Sequence, residues 1–195
     1  MFTEQPNIGR KLRALWALHV TKNLPADRLL ALLDHPAPYI RGWAVQLLGE
    51  DLTVGPAALK KFAAMAVSDP SPVVRVYLAS AMQRVPLAER WSIAQGLVAH
   101  AEDSSDHNLP KMIWFGVEPL VPTDTPRALS LAASSALPQI TQWIARRAVS
   151  AKQLEAIAAT LATTTSLASR LSLLEGLRVQ NRALFVHHPA LGVGV

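Results

Sequence analysis

The pattern Pro-x-(Ile/Val)-Arg-x-(Trp/Tyr) occurs twice in this chain, as Pro38-Tyr39-Ile40-Arg41-Gly42-Trp43 and Pro72-Val73-Val74-Arg75-Val76-Tyr77, with a spacing of 34 residues. A fixed period of this size constrains the architecture strongly: it is the length of a two-helix unit that buries its apolar face only against its neighbours. The flanks keep the register, since His35-Pro36-Ala37-Pro38 falls on Asp69-Pro70-Ser71-Pro72. Proline is favoured in the turn and at the first helical position, where its missing N–H would lack a partner anyway, so each copy marks a turn followed by a new helix. Behind it, Ile40, Trp43, Ala44, Leu47 and Leu48 form an apolar stripe at helical spacing, repeated by Val74, Tyr77, Leu78, Ala81 and Met82. A weaker third copy, Pro138-Gln139-Ile140-Thr141-Gln142-Trp143, lies 100 residues after the first and carries Thr141 in place of the arginine.

Partner helices are predicted before these copies at 25–33, 56–67 and 126–133. An intervening hairpin is predicted over 86–100 and 109–116, a first helix over 11–20, and a final hairpin over 151–161 and 167–177. No period-two pattern competes. The expected fold is all-α, an α-solenoid of about five to six helical hairpins spanning 1–178, followed by an irregular tail over 179–195. Two departures stand out. Residues 100–126 lengthen the local period, and the tail contains two late glycines with no helical periodicity.

Composition narrows the function classes. Half the residues are hydrophobic and 17% are charged, as expected of a folded chain. No apolar run approaches the roughly 20 residues of a membrane span, and the N-terminus shows no basic-then-apolar leader pattern. The net charge of +5 is scattered over Arg10, Lys11, Arg13, Lys60, Lys61, Arg146 and Arg147. Nucleic-acid binding calls for a continuous stripe, so it is disfavoured. Cysteine is absent, which removes disulfides, thiolate catalysis and cysteine-ligated metal from this chain.

Arg41 and Arg75 fall in the first turns of their helices, where a cation opposes the helix dipole by roughly 0.3–1 kcal/mol. Asp34 and Asp69 lie in the preceding turns, and an arginine fork reaches such a carboxylate in its own unit or the next. Asp34, Arg41, Asp69 and Arg75 are therefore read as a structural ladder that fixes the angle between units.

Asp followed by (Ile/Val)-Arg and a small residue such as Ala44 resembles the HEAT repeat. More specifically, 13–19, 39–48, 69–75 and Asp106-His107-Asn108-Leu109-Pro110 resemble the HEAT region of large membrane-bound-dehydrogenase-like haem-binding proteins of the planctomycete type, over about residues 10–177. In that family the region sits between a propeller-like dehydrogenase part and a c-type cytochrome domain. The resemblance therefore implies an extracytoplasmic spacer or docking role for a fragment or relative of a larger protein. No Cys-x-x-Cys-His is present, so haem binding does not carry over, and the tail departs from the family pattern.

The strongest candidate interaction site is Asp106, His107, Asn108, Trp114 and Glu118, polar and aromatic groups gathered at the one irregular segment. The competing reading is that Asp106 or Asn108 caps the helix starting near Leu109 and that Glu118 braces a loop. Asp103 to Asn108 lacks the glycine and terminal glutamate of a calcium loop, and His100, His107, His187 and His188 lack zinc-ligand spacing. No catalytic, cofactor-binding or metal residue is nominated, and the expected partner is a protein or neighbouring domain. Two rival readings stand beside it: a nucleic-acid binder or DNA glycosylase with one continuous basic face, and a small-molecule carrier with a deep pocket near Trp114 and Glu118.

Overall fold

A computed structural model describes residues 6–187, with side chains through residue 178. Among the described residues the chain is all-helical, with no strand. Its helices are α1 (Ile8–Val20), α2 (Ala26–Leu32), α3 (Pro38–Leu48), α4 (Pro56–Ser68), α5 (Pro72–Met82), α6 (Leu87–Leu97), α7 (Leu109–Val117), α8 (Thr125–Ser134), α9 (Pro138–Ser150), α10 (Leu154–Thr163) and α11 (Leu167–His187). Short 3-10 turns lie at Ala101–Ser105 and Glu118–Leu120. Every helix expected from the periodicity is present, and all but the last match within a few residues. The irregular tail expected from Val179 is corrected in part: α11 continues as helix to His187. Residues 188–195 lie outside the described residues.

The helix starts follow from the residues that precede them. Proline opens α3, α4, α5 and α9, where its fixed φ is already helical. Asn7 caps α1 by accepting from the Arg10 N–H at 3.1 Å, and Asp124 caps α8 by accepting from the Arg127 N–H at 3.1 Å. Past α1, α3 and α9 the chain reverses through left-handed residues, Lys22, Leu52 and Lys152.

By its contacts the chain forms two compact units, residues 1–97 with 106–116, and 98–105 with 117–195. In the first unit α2 packs on α3 and α4 on α5 as hairpins, while α1, α3 and α5 lie side by side and α4 lies against α6. The stripes read from the sequence face inward: Ile40, Ala44, Val74 and Leu78 are fully buried, as is Phe62 of α4. Truncating a side chain such as Phe62 to alanine costs about 3–5 kcal/mol. Gly96 of α6 crosses the backbone of α4 so closely that a Cβ there would lie 2.8 Å from the Ala66 carbonyl carbon. In the second unit α8 packs on α9, α9 on α11 and α10 on α8. Gly176 of α11 faces the Gln142 carbonyl of α9, with no room for a Cβ. In both units, then, alternate helices, α4 with α6 and α9 with α11, approach to backbone contact through a glycine, a separation that only a missing side chain permits.

Candidate functional site

The ladder residues form one bidentate clamp between repeats. Arg41 Nε and Nη2 donate to Asp69 Oδ2 and Oδ1, each at 2.7 Å, and Nη1 donates to the carbonyls of His35 at 2.9 Å and Pro36 at 3.0 Å. The pair is largely sequestered, with side chains 12% and 5% exposed, so its hydrogen bonds are charge-assisted and shielded from water. Arg75, itself buried, donates from Nη1 to the Asp69 carbonyl at 2.9 Å. Asp69 thus ties the arginine of α3 to the α4–α5 turn. Asp34 is corrected: it takes Lys61 Nζ at 2.5 Å on the surface and does not meet Arg41. The reason is register, because the residue 34 positions before Asp69 is His35, not Asp34.

That register exposes a second repeated device, which the sequence reading did not find. His35 Nδ1 accepts from the Ala37 N–H at 3.0 Å and Asp69 Oδ1 from Ser71 N–H at 3.0 Å. Asp106 Oδ1 accepts from Asn108 N–H at 2.8 Å, and Ser135 Oγ from Leu137 N–H at 3.0 Å. Each is a bond from residue i to i+2, and three residues after each acceptor a helix begins, at Pro38, Pro72, Leu109 and Pro138. These side chains imitate a backbone turn and hold the chain at the helix entrance. Six residues after the acceptor stand Arg41, Arg75, Met112 and Thr141. Both arginines donate to the carbonyl of their own acceptor residue. Thr141, buried, donates from Oγ1 to the Ala132 carbonyl at 2.9 Å. The shorter side chain thus takes a carbonyl at the end of the preceding helix, α8, without any charge.

The candidate interaction residues divide accordingly. Asp106 is the turn acceptor of α7, and it also takes the Leu109 N–H at 2.7 Å. Those bonds, to Leu109 first and Asn108 next, hold its carboxyl below the usual range. His107 and Asn108 are exposed and Trp114 is half-buried. Glu118 belongs to the second unit and accepts from Arg147 Nε at 2.6 Å. The two acids therefore have separate structural engagements, each in its own unit. α7 also breaks the repeat's phase. Relative to the acceptor, the buried pairs Ile40/Ala44, Val74/Leu78 and Ile140/Ile144 stand at +5 and +9, whereas Leu109/Ile113 stand at +3 and +7. Two residues are about 200° of helix rotation, so the +6 position of α7 has no inward role for an arginine.

The basic residues sit on separate helices: Arg10 and Lys11 on α1, Lys60 on α4, Arg146 and Arg147 on α9. A groove of about 660 Å³ in the second unit is lined by Ser130, Ser134, Thr160, Thr163 and Thr164. Among its hydroxyls, those of Ser134, Thr160, Thr163 and Thr164 donate to carbonyls of their own helices. Among the described residues no three His, Cys, Asp or Glu side chains converge as a metal site would require. A row of rings does form in the first unit. Trp16 of α1 meets Trp43 of α3 edge-on with centroids 4.8 Å apart, and Trp43 meets Tyr77 of α5 at 6.0 Å. For Trp43 and Tyr77 the signal was present in the sequence, as an aromatic at the same place in both copies. No family model, curated protein or solved structure matches the chain.

Proposed function

We propose that the chain is a non-catalytic scaffold, a HEAT-type α-solenoid whose stacked hairpins space or dock a protein partner or neighbouring domains. The observation that carries this reading is the Arg41–Asp69 clamp with its turn acceptors: the repeat's conspicuous polar groups are engaged in holding one hairpin to the next. Side chains so engaged lack the spare lone pairs and mobility that acid–base chemistry needs. Asp106, the acid in the best candidate site, serves its own turn, taking two backbone N–H groups on Oδ1. The sequence resemblance supports placement in a larger haem-binding dehydrogenase-like protein, between catalytic and electron-transfer parts. The nucleic-acid alternative has less support, since Lys60 lies on α4, outside the α1–α3–α5 layer whose α1 carries Arg10 and Lys11.

The test is crosslinked affinity capture from the native host with the intact chain as bait, alongside turnover assays on the purified chain. Stoichiometric recovery of a defined protein partner, with no turnover, is expected. Recovery of no stoichiometric protein, or multiple turnover of a small substrate, overturns the reading.

A further inference from the structure

The row of Trp16, Trp43 and Tyr77 runs across three helices and ends at a surface. Trp16 is 37% exposed and Tyr39, one turn before Trp43 on α3, is 53% exposed. Helices α1, α3 and α5 contain no aspartate or glutamate. On α1, Arg10 and Arg13 are exposed, about two turns and one turn before Trp16. Arg13 is three residues from Trp16, so the two share a helix face. The acids of the first unit's helices are on α2 and α6, as Asp27 and Glu89, and the carboxylates that reach the layer from its turns are paired, Asp69 with Arg41 and Glu50 with His19 in the last turn of α1. The layer therefore offers an apolar, aromatic strip with cations and no carboxylate within its helices, complementary to a ligand that is apolar and negative.

We propose that this face of α1, α3 and α5 binds an extended acidic peptide segment, its apolar side chains on the aromatic row and its carboxylates on Arg10 and Arg13. This rests on the docking reading above and names the partner's class. A peptide fits better than a single-stranded nucleic acid. Base stacking needs open ring faces, and here the rings turn edges and tilted faces toward one another, at 66° and 51° between planes. Two exposed cations also fall short of a phosphate-tracking stripe. The aromatic row supplies contact area at little entropic cost, and the arginines select the sign of the ligand.

The experiment uses the full chain and fluorescence anisotropy with labelled peptides of about a dozen residues, alternating apolar residues with Glu, Gln or Lys, and an oligothymidylate of similar length. The Glu peptide is expected to bind about tenfold or more tighter than the Gln peptide and to weaken with salt. The double variant R10E/R13E loses about tenfold in affinity with unchanged thermal melting, Trp16→Ala weakens all apolar peptides, and Lys60→Glu on α4 leaves binding unchanged. Equal binding of Glu and Gln peptides, binding of no peptide, tighter binding of the oligothymidylate, or an equal loss in K60E overturns the proposal. If no peptide binds while host capture still recovers a stoichiometric partner, this face is wrong and the docking reading stands. If capture also fails, the docking reading falls.

Discussion

The turn before α5 and the turn before α9 perform the same task with different chemistry. In the first, Asp69 accepts from Ser71, its carbonyl receives Arg75, and its carboxylate receives both prongs of Arg41 from the previous repeat. In the second, Ser135 accepts from Leu137, and Thr141 bonds to Ala132 through a neutral hydroxyl. Both satisfy the carbonyls and amides that a tight helix–helix turn leaves over. The first fastens its repeat to the one before through a buried charge pair, whereas the second does so through neutral bonds, the Ala136 N–H and Gln139 Nε2 donating to the Val98 and Ser104 carbonyls. The difference teaches that the arginine has two separable roles, local carbonyl satisfaction and coupling between repeats, and that a threonine inherits only the first.

Substitutions at the two turns should therefore differ in size. Asp69→Ala leaves Arg41 partly buried without its counter-charge, so unfolding in urea is expected to show a loss of about 3 kcal/mol or more. Thr141→Val removes one neutral hydrogen bond and is expected to cost about 1–2 kcal/mol by the same measurement. Equal losses at the two sites would show that the clamp adds nothing beyond local bonding. Asp106→Ala removes the same turn bond with no ladder attached, and is expected to cost about 1 kcal/mol, as loss of a helix cap does. Binding of the acidic peptide is expected to survive Asp106→Ala, because that residue serves the turn.

The first copy adds a titratable version of the device. Burial, then the neighbouring charges of Lys11 and Arg41, hold His35 below the usual imidazole range, and its Nδ1 accepts from Ala37 only when unprotonated. The unfolded chain then takes up the proton more readily than the folded one. This contribution to stability is complete above the unfolded pKa of about 6.5 and is lost as pH falls from there toward the lower folded value. Replacing His35 by Asp, the residue its register partner carries, is expected to remove that acid-side loss. Denaturation curves for the two proteins should diverge as pH drops below about 6.5.

The helices were legible from the sequence because proline and apolar spacing act locally. Arg41 and Arg75 were legible as ladder members for the same reason, being repeated in register. The partner of Arg41 was not settled, since Asp34 and Asp69 both lie in preceding turns and only the packing of α3 against α5 decides between them. The role of Asp106 was visible as one of two readings. What decided it was the bond to Asn108, which aligns it with His35, Asp69 and Ser135. Three residue types, His, Asp and Ser, share that duty, and a pattern of identities does not show a shared acceptor. The phase shift of α7 escaped because its apolar residues are so dense that more than one stripe fits the segment 109–117.

The most direct test of coupling between repeats is a double-mutant cycle on Arg41 and Asp69, with Arg41→Met, Asp69→Ala and the double variant unfolded in urea. The buried bidentate geometry predicts a coupling energy of about 2 kcal/mol or more. A coupling below about 0.5 kcal/mol, the size of an ordinary surface pair, would contradict the claim that this clamp fastens one repeat to the next.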